Sequence, residues 1–270
     1  HSSIAEIWGT PTPATIRVVQ ILPGPMPTLT ASAPASIRAS VASAVAIFPG
    51  SNCDRDMAVA IKKITGKSPL KLWHKDTEAP NLDLIVIPGG FSFGDYLRCG
   101  ALAARSPIIK NIKNHISRGG ALLGVCNGFQ ILIEANILPG SLVRNKKLLF
   151  TCRETTLEVQ DSIQSPFLSS FNTGDCLNIP VAHNEGNYIA NNELLKELEN
   201  NGRIAFKYKK SSEIETDYNP NGSLNDIAGI LSKNGRVLGM MPHPERSINS
   251  LYGGTDGLKF LTKSIEQIVG

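Results

Sequence analysis

The chain has 270 residues, of which 41% are hydrophobic and 19% are charged, and its formal net charge is +4. This composition is typical of a soluble globular protein with one large domain or two small ones. No apolar run approaches the roughly 20 residues that a membrane span needs, and no basic stretch is interleaved with aromatic residues. The sequence therefore argues against membrane insertion and against nucleic-acid binding.

Residues 1–40 differ from the remainder because they are rich in Pro, Ala, Ser and Thr. Such a stretch buries too little apolar surface to stabilise a fold of its own. We therefore expect a flexible or artificially added extension over residues 1–40, and one catalytic domain over residues 41–270.

The first half of that domain alternates apolar strands with helices. Strands are predicted at 45–48, 70–73, 82–87 and 121–123, and helices at 54–64, at 107–116 and around 131–135. Uninterrupted apolar strands that alternate with helices indicate an α/β fold, with an open, mostly parallel sheet covered by helices on both faces. In such a sheet the active site forms at the carboxyl ends of the strands.

The second half of the domain has a different pattern. More polar strands are predicted at 148–159, 177–181 and 203–208, with a short helix at 193–199. The dipeptide Asn234-Gly235 separates two further strands, at 226–231 and 236–241, and is a strong signal for a hairpin turn. An amphipathic helix is predicted at 255–269.

The cysteines are widely and irregularly spaced, without a C-x-x-C pair: Cys53, Cys99, Cys126, Cys152 and Cys176. This spacing argues against a structural zinc site and against a disulfide framework. An odd number of cysteines with a reactive-looking thiol suits a reducing compartment, so we predict a cytoplasmic protein.

Cys126 is the candidate nucleophile. It follows the apolar strand that ends near residue 123, precedes a helical run, and has Gly124 and Gly128 two residues away on either side. This is the nucleophile-elbow pattern with sulfur in place of oxygen. The free N–H groups and positive dipole end of the following helix favour a thiolate. The alternative is a buried structural cysteine between two core elements.

A candidate base and its orienting acid follow the predicted hairpin. Pro242 and Pro244 favour extended backbone at the residues before them, so His243 and Glu245 are expected to point the same way and to touch. Together with Cys126 they would supply the Cys–His–acid set of nucleophilic acyl transfer. The alternative for His243 is an exposed histidine in a proline-stiffened loop.

An oxyanion hole is predicted from two backbone N–H groups. One belongs to Asn127, which follows the nucleophile at a helix start, and the other to Gly90 in the turn after the third strand. Such donors stabilise a tetrahedral intermediate. The alternative for Gly89-Gly90 is an ordinary tight turn.

Four stretches of the chain resemble class I (triad) glutamine amidotransferases: residues 48–54 (FPGSNCD), 88–98 (PGGFSFGDYLR), 124–130 (GVCNGFQ) and 241–246 (MPHPER). Within that family they are most similar to the small, separate glutaminase subunits of phosphoribosylformylglycinamidine synthases. The resemblance covers roughly residues 45–268 and implies the flavodoxin-like fold of class I amidotransferases.

The resemblance also implies roles for individual residues. Cys126 would attack the side-chain amide of glutamine, and His243, oriented by Glu245, would move the proton. Substrate contacts are implied for four further residues: Gly89, Gln130, Asn184 and Gly186. The assignment of Asn184 departs from the family pattern, because glycine is more frequent at that position. His183 is interpreted as a hydrogen-bonded loop histidine rather than a catalytic group.

A phosphate-binding motif G-x-x-x-x-G-K-[ST] is missing from the sequence. The resemblance therefore implies that this chain carries no cofactor or metal, and that ATP and Mg²⁺ belong to a large synthetase subunit. A small accessory subunit is expected in the same complex. Ammonia would pass to the synthetase and convert formylglycinamide ribonucleotide to formylglycinamidine ribonucleotide in purine biosynthesis.

Three alternatives stay open at this stage. An amidotransferase of another pathway is disfavoured by the stretches 48–54 and 91–98. A cysteine hydrolase or stress protein of the same fold would not need His243-Pro244-Glu245 after a hairpin. A non-catalytic module built on an inactive amidotransferase would be expected to lack Cys126, His243 or Glu245.

Overall fold

The computed structural model describes residues 40–96, 98–210 and 217–269. The extension predicted over residues 1–40 therefore lies outside the described residues, apart from Ser40. None of the helices in the described ranges is both long and apolar enough to cross a lipid bilayer.

The strands and helices of these ranges follow the predicted order closely. The strands are β1 Ser43–Ile47, β2 Leu70–Trp73, β3 Leu84–Ile87, β4 Ala121–Val125, β5 Ser141–Val143, β6 Thr151–Val159, β7 Cys176–His183, β8 Asn187–Ile189, β9 Ile204–Lys209, β10 Ile227–Leu231 and β11 Val237–Met240. The helices are α1 Asp54–Thr65, α2 Ile108–Ser117, α3 Asn127–Glu134, α4 Asn192–Asn200 and α5 Asp256–Val269.

Nine strands of the described chain form one sheet, in the order β2-β1-β3-β4-β11-β10-β9-β6-β7. From β2 to β11 all neighbours are parallel, and this half has the flavodoxin-like order. Every residue of β3 and β4 is buried, so both faces of this half are covered. The predicted α/β fold with a mostly parallel sheet is confirmed.

The other half of the sheet is antiparallel. The hairpin predicted at Asn234-Gly235 joins β10 to β11, and Leu231 pairs with Leu238. Because β11 also pairs in parallel with β4, the hairpin connects the two halves. It therefore brings the segment after β11, which contains His243, next to the end of the nucleophile strand.

Two features of the second half differ from the sequence-based prediction. The strand predicted to begin at residue 148 begins at Thr151, because Leu148 has a positive φ of 56° and the Asn145 side chain donates a hydrogen bond to the Leu149 carbonyl. A separate two-stranded sheet of β5 and β8 was not predicted, since three-residue strands are too short to show a periodic pattern.

Candidate active site

The candidate site lies where four parallel strands end. The segments that follow β1, β3, β4 and β11 contribute Cys53, Gly89, Cys126 and His243 respectively. A Cβ placed on Gly89 would lie 2.5 Å from His243 Cε1 and 3.3 Å from Cys53 Sγ, which shows how closely these segments meet. The site therefore forms at the edge of the sheet expected from the order of its strands.

Cys126 occupies a strained turn between β4 and α3. Its backbone has φ 50° and ψ −106°, a conformation that residues with a side chain rarely adopt. Its N–H donates to the Met240 carbonyl at 2.8 Å, which ties the turn to the end of β11. A Cβ on Gly128 would lie 2.0 Å from the Ile87 carbonyl oxygen, so only glycine lets α3 start this close to β3.

His243 and Glu245 are brought into direct contact. His243 Nδ1 lies 2.6 Å from Glu245 Oε1, and both side chains are essentially inaccessible to solvent. The prolines predict a continuous extended segment at this point, but the contact does not arise from one. Instead, Glu245 belongs to a short 3-10 turn, Pro244–Arg246, that folds the carboxylate back onto the imidazole.

The neighbours of the His243 imidazole oppose the effect of its burial. Burial lowers its pKa, but the Glu245 carboxylate, then Cys126 and then Cys53 outweigh burial, and the pKa is raised well above 6.5. Within the described residues Nε2 makes no hydrogen bond of normal geometry, although Cys126 and Cys53 lie close enough to raise the pKa of the ring. The Cys126 thiol donates instead to the Ala182 carbonyl, with a sulfur-to-oxygen distance of 3.6 Å.

The two backbone donors predicted for an oxyanion hole carry no hydrogen bond of their own. Within the described part of the chain, no hydrogen bond uses the N–H of Asn127 or of Gly90. Gly90 has φ 141°, and a Cβ there would lie 2.7 Å from the Asn52 nitrogen, so a side chain would not fit. Both N–H groups are therefore available to a ligand.

Gln130 and Asn127 belong to one polar network. Asn127 Oδ1 accepts from the Ser92 N–H at 3.1 Å, and its Nδ2 donates to Gln130 Oε1 at 2.9 Å. Gln130 Nε2 in turn donates to the Glu185 carbonyl at 2.7 Å. The network ties the start of α3 to the two loops beside it.

His183 is a neutral, hydrogen-bonded histidine, although it is the last residue of β7 rather than a loop residue. Its Nδ1 lies 3.1 Å from Asn145 Oδ1, and its Nε2 lies 3.5 Å from Asn221 Nδ2. Burial, followed by the nearby positive charge of His243, lowers its pKa to about 3.

Gly186 and Asn184 lie in the loop after His183. The Gly186 N–H donates to Asn145 Oδ1 at 3.0 Å, and its carbonyl accepts from Ser223 Oγ at 3.2 Å, so both of its polar groups are engaged within the protein. The Asn184 side chain is exposed, and its carbonyl accepts from the Asn145 N–H. Asn145, which no sequence signal singled out, thus organises this loop.

Two further residues border the His243–Glu245 pair and were not assigned a role from the sequence, although both lie in stretches that carry the family resemblance. Cys53 Sγ accepts a hydrogen bond from Arg246 Nη2 at 3.1 Å. Within the described residues, potential ligand atoms of Cys53, His243 and Glu245 lie within 4.8 Å of one another. We assign no metal to this group, because His243 Nδ1 and Glu245 Oε1 bond to each other and Cys53 Sγ accepts from Arg246.

Comparison with known proteins places this geometry in a family. Residues 40–255 match the family model described as the CobB/CobQ-like glutamine amidotransferase domain. The chain is 51% identical over 226 residues to the phosphoribosylformylglycinamidine synthase subunit PurQ of Rhizobium meliloti. This alignment covers 84% of this chain and 98% of that protein. The protein of the same name from Trichormus variabilis is 47% identical over 225 residues, covering 83% of this chain and 97% of that protein.

A solved structure described as PurLQS from Thermotoga maritima is similar in fold and in sequence. It aligns with a TM-score of 0.73 and 38% identity, and the alignment covers 84% of this chain and 99% of that chain.

Proposed function

The chain belongs to the CobB/CobQ-like glutamine amidotransferase family, and on that premise we propose that it is the glutaminase subunit of a phosphoribosylformylglycinamidine synthase. The relatives named PurQ support this choice of synthase, since they match over nearly their whole length. The observation that carries the glutaminase step is the buried 2.6 Å contact between His243 and Glu245 beside the strained turn of Cys126.

The proposed reaction is hydrolysis of the glutamine side-chain amide through a thioester. The Cys126 thiol gives its proton to His243 Nε2, and the resulting thiolate attacks the amide carbon, forming a carbon–sulfur bond and a tetrahedral oxyanion that faces the N–H groups of Asn127 and Gly90. His243 donates its proton to the departing nitrogen, and ammonia leaves. His243 then takes a proton from water, which attacks the thioester and releases glutamate and the free thiol. Glu245 keeps the imidazole oriented throughout.

We further propose that Gly89, Gln130, Asn184 and Gly186 contact the substrate glutamine. Gly89 lies against His243, which supports its placement at the reacting end of the substrate. For Gln130 and Gly186 the polar groups described above already have protein partners, so a substrate contact there requires exchange of those bonds.

The ammonia-consuming step is proposed to occur on other subunits. A large synthetase subunit would bind ATP, Mg²⁺ and formylglycinamide ribonucleotide, and a small accessory subunit would complete the complex. The name of the similar solved structure, PurLQS, supports assembly with other subunits.

All five cysteines of this chain are free, which supports a reducing, cytoplasmic setting.

The isolated chain is expected to be a slow glutaminase that accelerates on assembly, because free hydrolysis would waste glutamine. The direction of the Cys126 thiol supports this expectation, since it bonds to the Ala182 carbonyl while His243 Nε2 makes no hydrogen bond within the part of the chain that the structure describes. A small rotation of the thiol towards Nε2 would complete the reactive pair.

The test is glutamate release from glutamine by the purified chain, alone and with its synthetase. Cys126→Ala removes the proposed nucleophile, and Cys152→Ala is the matched control because Cys152 is an exposed free thiol. The proposal predicts release that Cys126→Ala abolishes, that Cys152→Ala leaves unchanged, and that the synthetase increases. Release by the Cys126→Ala variant would overturn the mechanism, and a fast rate indifferent to the synthetase would overturn the coupling.

A further inference from the structure

A second thiol lies behind the base and its acid. Cys53 is 1% exposed and ends the turn between β1 and α1. Its N–H donates to the Gly89 carbonyl at 3.3 Å, and its carbonyl accepts the first bond of α1, from Met57, at 3.0 Å. The sulfur is therefore held by backbone on both sides and lies within 4.8 Å of ligand atoms of His243 and Glu245.

Arg246 completes this arrangement. Its Nη2 donates to Cys53 Sγ at 3.1 Å, although the two residues are 193 positions apart in the chain. Burial lowers the pKa of Arg246, but the sulfur of Cys53 and then the Glu245 carboxylate outweigh burial and raise it. The bond ties the turn Pro244–Arg246, which carries Glu245, to the residue before α1.

The Glu245 carboxylate is held at one oxygen only. Its Oε1 bonds to His243, whereas its Oε2 is buried and, within the described residues, makes no hydrogen bond. The direction of the carboxylate therefore depends on the turn Pro244–Arg246 that carries it.

We propose that Arg246 is a positioning residue: its bond to the sulfur of Cys53 fastens the turn Pro244–Arg246 to the start of α1 and so keeps the Glu245 carboxylate aimed at His243. This inference rests on the proposed glutaminase function and names two residues that neither the triad nor the oxyanion hole includes. Cys53 acts here as an acceptor for the guanidinium and takes part in no covalent step.

The surroundings of Arg246 show why the sulfur contact matters. Arg246 and Glu245 are among the residues that line a cavity of about 360 Å³, together with Asp56, Val59 and Ile248. Without an acceptor at position 53, the guanidinium has room to turn into this cavity, where the Asp56 carboxylate would attract it. The Cys53 contact therefore keeps the Arg246 guanidinium at the sulfur and out of the cavity.

The test uses the complete enzyme complex, with kcat and KM measured for glutamate release. Arg246→Met keeps an unbranched apolar side chain and removes the guanidinium and its charge. It should lower kcat by ~10- to 100-fold, the usual effect of a misplaced catalytic group, with KM within about twofold. Cys53→Ala should lower kcat in the same way but less, and Cys53→Ser should lie closest to the parent protein because it keeps an acceptor.

Two features of the data separate positioning from a general loss of structure. The double variant Cys53→Ala/Arg246→Met should be no slower than Arg246→Met alone, because both changes remove one interaction. Arg55→Met is the matched control, since Arg55 is exposed two residues from Cys53 and, in the described chain, its side chain makes no recorded hydrogen bond or ion pair. It should leave kcat and KM unchanged.

A second readout does not depend on glutamine as the substrate. The rate of Cys126 alkylation by iodoacetamide, followed by peptide mass spectrometry with exposed Cys152 as the internal standard, should fall by a similar factor in Arg246→Met. If the parent protein releases no glutamate but this slowing is seen, the proposed function fails and the positioning role stands.

Unchanged kcat and alkylation in Arg246→Met would overturn the inference, as would kcat losses of Cys53→Ala and Arg246→Met that multiply in the double variant. If Arg246→Met does not fold, Cys53→Ala alone decides the question by the same two readouts.

Discussion

The strained backbone of Cys126 predicts an unusual stability change. With φ 50° and ψ −106°, this residue occupies a region that costs roughly 1–3 kcal/mol for any residue with a Cβ. Cys126→Ala removes the thiol and keeps that cost, whereas Cys126→Gly removes both. Comparing the two variants isolates the strain, because neither has a nucleophile.

The expected difference follows from two opposing contributions. An ordinary Ala-to-Gly change is destabilising by roughly 0.5–1 kcal/mol, since glycine loses more backbone freedom on folding. Relief of strain should exceed this, so Cys126→Gly should be more stable than Cys126→Ala by about 1 kcal/mol. In a domain of this size that corresponds to a Tm about 2–4 °C higher.

The measurement is urea-induced unfolding of the isolated chain together with thermal melting. The control is Ala58→Gly, at a position inside the regular helix α1 where no strain is relieved, and it should lower the unfolding free energy by about 1 kcal/mol. If Cys126→Gly is less stable than Cys126→Ala by the same amount, the turn stores no strain and the reasoning fails.

Three further outcomes are expected. Gly128→Ala should lower the unfolding free energy by roughly 3 kcal/mol in urea, because its Cβ would lie 2.0 Å from the rigid Ile87 carbonyl oxygen; normal stability would contradict this contact. His183, with its pKa lowered to about 3, takes up a proton only on unfolding, so stability should fall below pH 6.5 by up to roughly 1.4 kcal/mol per pH unit relative to His183→Gln. Because the pKa of His243 is raised in the folded state, the proton on His243 stabilises the fold most below pH 6.5 and less as the pH rises through the folded-state pKa. The loss of stability caused by Glu245→Gln should therefore shrink with rising pH. A loss that stays constant would show that His243 is not charged.

The parts of the site that depend on neighbours in sequence were predictable. The run of small and apolar residues around Cys126 is sufficient to predict a strand-to-helix turn, and Asn234-Gly235 is sufficient to predict the hairpin of β10 and β11. His243 and Glu245 are two positions apart, so their contact needs only a short turn. The type of turn was wrong in the sequence-based prediction, because proline restricts the residue before it and leaves the residue after it free to curl.

The parts that join distant segments were decided by the tertiary structure. The Arg246–Cys53 contact spans 193 residues, and the Asn145 side chain reaches His183 and Gly186 across a loop. The first contact exists because β1 and β11 end at the same edge of the large sheet, and the second joins the segment after β5, which belongs to the separate sheet with β8, to the end of β7. No local periodicity encodes either arrangement. By itself, the sequence determined the α/β class, the elbow of Cys126 and the candidate triad, since these follow from backbone preferences over a few residues. Only the tertiary structure decided what lies behind the triad and where the thiol points, since those depend on which strands become neighbours.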